Sequence, residues 1–227
     1  MIRMNKTTTL GFLHTSPMHV GTFKQLAGEM CPEIPLAHMV DEELLREARS
    51  AGMTPELEGR IDELLVAMAQ DGAVVIVCTC STIGGCAENA ARRRGARLVR
   101  VDRAMAQQAV AQGERIALVA ALASTLGPTR QLILEAAANA GKSVAVAEMM
   151  CEDAWPAFEL GDLTLYHARI AQAATIATAQ ADVVVLAQAS MAGAVPLCAG
   201  LATPILSSPR LGLAAALELY RGAAQRK

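Results

Sequence analysis

The sequence predicts an α/β fold of two similar lobes, each a short parallel sheet flanked by helices, with a site in the cleft between them. Three observations lead there. Apolar β-branched runs alternate with segments whose apolar residues recur at helical spacing, the order that builds parallel sheets. The strand pattern then repeats. First strands begin near residues 8 and 115, second near 34 and 143, third near 74 and 183, and fourth near 97 and 204, offsets of about 107 to 109 residues. Finally, 227 residues at 53% hydrophobic and 19% charged are enough to bury real cores. The duplication divides the chain into lobe one, 1–105 completed by a C-terminal helix within 208–227, and lobe two, 106–207.

Thr8–His14 reads as the first strand, Met18–Met30 as a helix and Ile34–Val40 as the second strand. Asp41 caps a helix carrying Leu44, Leu45 and Ala48, and Thr54-Pro55 opens another with Leu57, Ile61, Leu64, Leu65 and Met68 on one face. Val74–Cys78 is the third strand, Ile83–Arg94 a helix and Arg97–Val101 the fourth strand. In the second run, Arg115–Ala121, Ser143–Met149, Val183–Leu186 and Pro204–Ser207 are strands. Thr129–Ala140, Asp162–Gln180, Met191–Ala199 and Leu211–Ala224 are helices.

Composition excludes several classes of function. Only 3% of residues are aromatic, so the core is built from Ala, Val, Leu, Ile and Met, and stacking platforms for single-stranded nucleic acid are not expected. A net charge of −2 gives no bulk attraction to nucleic acid, and Arg92, Arg93, Arg94 and Arg97 read as a solvated helix end before Gly95. No apolar run approaches the ~18 residues that span a bilayer, so no membrane partner is expected. The start, MIRMNKTTTLGF, lacks the long apolar region of a secretory signal, and the expected location is cytoplasmic. The six cysteines are dispersed with no CxxC pair, and the four histidines show no zinc-site spacing, so no metal is expected.

The chemistry concentrates in VVIVCTCSTIGG, Val74–Gly85. A buried strand ends in a cysteine, two hydroxyls and two glycines, which sets Cys80 beside the start of a helix. Helix N-termini carry partial positive charge and unbonded N–H groups, which favour a thiolate and a substrate carboxylate alike. Parallel sheets bind ligands at the carboxyl ends of their strands. The matching ends are His14-Thr15 in lobe one and Ser124-Thr125 and Gln188-Ala189-Ser190 in lobe two. One thiol, several hydroxyls, one amide and backbone N–H groups suit an anionic ligand, most simply a carboxylate. Ser81, Thr82, Ser124, Thr125 and Ser190 serve equally as helix caps. Cys78 reads as core, Cys86 and Cys198 as packing. Cys151 is either a replacement acid or helix-start packing, and Glu148 takes either a cleft or a surface role. His167 reads as a packed or solvent-facing histidine.

These motifs resemble the aspartate/glutamate/hydantoin racemase superfamily over nearly the whole chain. Cys80-Ser81-Thr82 looks like that family's first-lobe Cys-Asn-Thr. Leu186–Ala192, LAQASMA, is similar to its second-lobe Leu-Gly-Cys-Ala-Gly-Met-Ala, and Ala121–Thr129 resembles its Thr-rich loop. The resemblance implies a cofactor-independent enzyme that acts at the carbon alpha to a carboxylate, with the two lobes each contributing a cysteine. Here Gln188 stands where the second cysteine belongs, and an amide does not act as a general acid or base near neutral pH. Cys80 is therefore the expected catalytic residue. His14, Thr15, Ser81, Thr82, Ser124, Thr125, Gln188, Ala189 and Ser190 are the expected binding residues. The implied partner is a small carboxylate substrate, with a homodimer as a candidate assembly and no cofactor. Alternatives are a single-cysteine decarboxylase, a cis–trans isomerase, or a carboxylate-binding protein without turnover.

Overall fold

A computed structural model describes residues 8–224. The sequence expectations for residues 1–7 and 225–227 lie outside the described residues. Two compact units emerge: Asp102–Leu211 form lobe two, and the described residues before and after them form lobe one.

Lobe one contains β1 (Thr9–His14), α1 (Met18–Met30), β2 (Leu36–Val40), α2 (Glu42–Ala51), α3 (Pro55–Gln70), β3 (Ala73–Cys78), α4 (Ser81–Arg94) and β4 (Leu98–Arg100). Its four strands are parallel in the order β2-β1-β3-β4. Side chains alternate across the sheet as strand geometry requires. Leu10, Phe12, Val75 and Val77 pack on one face, and Leu13, Ile76 and Cys78 on the other. Both faces are covered, as is usual for parallel sheets, and each large aliphatic side chain buried this way contributes roughly 1.5–3 kcal/mol. The Asp41 side chain accepts from Glu43 N, and the Thr54 hydroxyl from Leu57 N, fixing the starts of α2 and α3.

Lobe two contains α5 (Arg103–Gln112), β5 (Arg115–Ala120), α6 (Ala123–Asn139), β6 (Ala145–Met150), α7 (Trp155–Glu159), α8 (Leu163–Ala177), β7 (Val183–Leu186) and β8 (Ile205–Ser207). Its strands are parallel in the order β6-β5-β7-β8, the same topology as lobe one. Ile116, Leu118, Ala120, Val183 and Val185 pack on one face, and Ala117, Val119, Val184 and Leu186 on the other. The last helix, α9 (Ser208–Ala224), leads out of lobe two, and its Leu213, Ala216, Leu217 and Tyr220 join the core of lobe one.

Five elements depart most from the sequence reading. Helix α5 was not anticipated. It is alanine- and glutamine-rich, and no side chain caps it. Because it packs in lobe two, the lobe boundary falls after Val101 rather than after residue 105. Helix α6 starts at Ala123, not Thr129, and Pro128 lies inside it. Helix α7 and the 3-10 turn before it, Glu152–Ala154, were also missed. The segment read as a helix over Met191–Ala199 is a 3-10 helix over Ala189–Cys198. Pro196 within it lacks an N–H. The His167 ring presses on Gly193, where a Cβ would sit 2.3 Å from His167 Cε1.

Candidate functional site

The ladders fix which residues of the two lobes are equivalent. Thr79 N donates to Leu13 O at 3.0 Å, and Ala187 N to Val119 O at 2.9 Å. Asp41 N donates to His14 O, and Cys151 N to Ala120 O. Cys80 therefore matches Gln188, His14 matches Ala120, and Asp41 matches Cys151. Cys80 and Gln188 are both helix N-caps of extended conformation, at φ −112°, ψ 118° and φ −117°, ψ 141°.

In lobe one, Cys80 is 8% exposed and sits directly before the first turn of α4. Ser81 and Thr82 begin that turn, and Ser81 is buried. Thr15 lies just beyond β1 and is also buried. The neighbouring Thr79 hydroxyl gives its one proton to Leu13 O at 3.1 Å, so it accepts from His14 Nδ1 at 2.9 Å. His14 Nε2 then accepts from His38 Nδ1, also at 2.9 Å. Phe12, His14 and His38 stack in near-parallel planes. The His14 side chain is fully buried with both ring nitrogens engaged, and it secures the residue before Cys80. Burial, followed by His19 and His38, pushes His14 down to about 3. Burial also lowers His19 to about 4, and both of its ring nitrogens are buried without a partner.

Arg100 was not anticipated. It lies on β4 in register with Cys78 and is buried. Its side chain runs along α4 where Gly84 and Gly85 leave room. A Cβ at Gly84 would lie 2.9 Å from Arg100 Nε, and one at Gly85 would lie 3.4 Å from Nη1. The glycine pair of STIGG thus admits a buried guanidinium beside the first turns of the cysteine-capped helix. An arginine in the apolar run LVRV was the available sequence signal.

In lobe two, the Gln188 side chain turns into its own lobe. Its Oε1 accepts from Ala121 N at 2.8 Å and from Leu122 N at 3.1 Å. The amide oxygen is thus engaged by backbone, and Nε2 is a donor at a residue 8% exposed. Ser124 and Thr125 lie in the first turn of α6, where Thr125 is buried and its N–H bonds Leu122 O. Ala189 is buried at the start of the 3-10 helix. The Ser190 hydroxyl pairs with Tyr166 Oη at 2.8 Å, and the Ser190 carbonyl accepts from His167 Nε2 at 3.0 Å. Tyr166, a partner the sequence did not reveal, is pushed up by burial.

The two open acid–base candidates of lobe two are also placed. The Cys151 thiol points to Asp153 Oδ1 and Arg169 O, and burial with Asp153 raises it to about 11, which keeps it protonated. Glu148 lies 3.6 Å from Arg130 on a partly exposed strand. Among the described residues, no group of three or more His, Cys, Asp or Glu side chains could hold a metal. No helix among them is long and apolar enough to cross a membrane.

No known family profile matches the chain, and no curated protein matches it by sequence. Solved structures do match. A glutamate racemase isoform from Bacillus anthracis superposes with TM-score 0.68 at 16% identity, covering 98% of this chain and 84% of that one. An aspartate racemase from Picrophilus torridus gives TM-score 0.64 at 14% identity, with 96% and 94% coverage. An arylmalonate decarboxylase variant gives 0.65 at 14% identity, with 94% of each chain covered. Two duplicated four-stranded parallel lobes, matched over nearly their whole length, give this chain the fold of the Asp/Glu racemase superfamily.

Proposed function

We propose that this chain is a cofactor-independent enzyme that acts at the carbon alpha to the carboxylate of a small amino-acid-like or carboxylic acid substrate, with Cys80 as its single acid–base thiol. The observation that carries this reading is the position of Cys80. It is an extended N-cap at the carboxyl end of a central parallel strand, where ligands of such sheets gather. The backbone N–H groups that open α4, with Ser81 and Thr82, hold the substrate carboxylate. Donors at that position stabilise the enediolate that forms when the alpha carbon loses its proton to the Cys80 thiolate. The electron pair of the broken C–H bond moves into the enediolate, and return of the proton from the thiol regenerates the acid.

Gln188, standing where lobe two would supply a second thiol, favours a second reading within the same chemistry. A reaction needing one proton transfer to carbon suits a single thiol. In decarboxylation, the carbon–carbon bond breaks, its electrons form the enediolate, carbon dioxide leaves, and the Cys80 thiol protonates the carbon. The structural neighbours include racemases and a decarboxylase by name, which supports both readings.

The test is solvent deuterium exchange. The protein is incubated in D2O with amino acids, hydantoins and 2-substituted malonates, and the alpha proton and carbon dioxide are followed. Exchange or carbon dioxide release that falls at least about 100-fold in Cys80→Ala supports the enzyme, since general acid–base groups typically contribute 10²–10⁴-fold. Binding without turnover across the panel, unaffected by Cys80→Ala, identifies a carboxylate-binding protein instead. Alkylation of Cys80 by iodoacetamide no faster than that of an ordinary free thiol counts against an activated thiolate.

A further inference from the structure

Natural sheets blunt their outer strands by making them short or by placing lysine, proline or a bulge there. Here β4 and β8 have three residues each, and the first four of the five residues of β2 are half-buried. The outer strand of lobe two, β6, has none of these features. Its six residues, AVAEMM, pair with β5 without a break in register, and Ala145, Ala147 and Glu148 are exposed. Among the described residues no strand lies beyond it. Ala145 N donates to Glu114 O and Cys151 N to Ala120 O, so the odd-numbered residues bond inward. Backbone polar groups alternate from side to side along a strand, so Val146, Glu148 and Met150 turn their N–H and C=O groups outward. On the α6 side of the sheet, Val146 and Glu148 share a groove with Arg130 and the exposed Leu134, and Glu148 Oε1 lies 3.6 Å from Arg130 Nε.

We infer that β6 is an interaction edge whose partner is β6 of a second copy of this chain, paired antiparallel about a two-fold axis perpendicular to the sheet. Such an axis presents the same surface from both copies and keeps both α6 helices on one face of a continuous sheet. Charge selects the register. The two registers of greatest overlap that set outward groups opposite outward groups are centred on Glu148 and on Ala147. Centring on Glu148 puts its carboxylate directly opposite the same carboxylate of the second copy, which is destabilising. Centring on Ala147 puts Val146 opposite Glu148 of the second copy, and these outward residues exchange both backbone hydrogen bonds. Ala147 then meets itself in the close, non-hydrogen-bonded position, where a methyl group fits, and Ala145 faces Met149. Glu148 comes beside Val146 of the second copy, in the groove that also holds the Arg130 of that copy. Each carboxylate is then shared between two guanidinium groups, one from each copy. A single edge carries both members of the ion pair, so it is complementary to itself.

The test is sedimentation equilibrium of the full chain. It does not involve Cys80, so its result is separate from that of the deuterium experiment. Wild type should sediment as a reversible dimer. Glu148→Arg leaves two arginines at the groove, and Arg130→Glu leaves two carboxylates. Each variant alone should show a dimer dissociation constant at least about tenfold higher, because like charges then meet across the edge. An equimolar mixture of the two variants should recover association to within about threefold of wild type, since each mixed dimer again sets opposite charges together. Mixing does not repair a misfolded chain, so recovery separates the interface from folding. Ala147→Cys should cross-link to itself under glutathione disulfide, its two Cα atoms lying about 4.5 Å apart, and Glu148→Cys should not. The inference is overturned if wild type is a monomer at its highest soluble concentration. It is equally overturned if mixing the charge variants does not restore association, or if Glu148→Cys cross-links in preference to Ala147→Cys.

Discussion

At the end of its third strand, lobe one passes through Thr79 and Cys80 into a regular α-helix of 14 residues. At the same place lobe two passes through Ala187 and Gln188 into ten residues of 3-10 helix. The cap dihedrals nearly coincide, so the backbone of the duplication has been kept while its chemistry has diverged. Lobe one holds a short thiol at the cap, braced from behind by the Thr79–His14–His38 chain. Lobe two has alanines where that chain would start, and a long amide that bonds its own backbone. The lobe-one junction keeps its polar support behind the strand. The lobe-two junction uses its side chain to satisfy its own backbone.

The largest effect expected from this difference is a response to acid confined to lobe one. His14 and His19 are held neutral in the fold, near 3 and 4 against an ordinary value of 6.5. Their folded values lie below the unfolded ones, so the unfolded chain binds more protons. The associated stability is complete above about pH 6.5 and is lost as pH falls toward 4 and then 3. The loss should reach on the order of a few kcal/mol, since each pH unit of such a shift corresponds to about 1.4 kcal/mol. In lobe two, Asp182 beside Arg115 is lowered to about 2 from 3.8, so its contribution is intact above about 3.8 and fades only below that. Hydrogen exchange from pH 7 to 4 should show β1 and β2 losing protection before β5 and β6. Equal loss in both lobes would break the contrast.

Removing the Gln188 side chain comes next. Gln188→Ala leaves two N–H groups without their acceptor and should cost about 1–3 kcal/mol in urea unfolding. Cys80→Ala removes no comparable bond and should cost less. A reversed order would mean that lobe one, not lobe two, depends on its cap side chain for stability.

Two glycines sharpen the contrast, with the smallest effect expected at Gly127. Gly84→Ala drives a Cβ against the buried Arg100 guanidinium and should destabilise by about 1–3 kcal/mol. Gly127→Ala in α6 of lobe two meets nothing within 4 Å and should stabilise by about 0.5–1 kcal/mol. Thermal melts of the two variants that shift in the same direction would remove Arg100 as the reason for the lobe-one glycines.

The strands were legible in the sequence because each is a compact apolar, β-branched run, and β7 was placed residue for residue. Helices with a capping side chain, α2, α3 and α8, were legible for the same local reason. Helix α5 has no such cap, and α6 hid its first six residues because Pro128 reads as a start although it lies a turn and a half inside. Cys80 could be found because strand, cap and helix are contiguous in sequence. The work of Gln188 and His14 could not, because their partners lie 65 to 67 residues away along the chain, apart from His38 at 24. Those bonds exist only once the strands are side by side.

The exchange of helices between the lobes has a consequence for how the molecule comes off the ribosome. Lobe two is an unbroken stretch of chain, Asp102–Leu211, carrying its own leading helix α5. Lobe one is not, because its core includes Leu213, Ala216, Leu217 and Tyr220 of α9, and Tyr220 Oη ties back to Thr8 O at 3.1 Å. Domains generally fold as units during synthesis. The half that emerges first must therefore wait, with one flank of its sheet uncovered, until the half that emerges second has been made and the final helix has followed. In this chain the order of translation and the order of completion are opposite, and the lobe that bears Cys80 is the last to be finished.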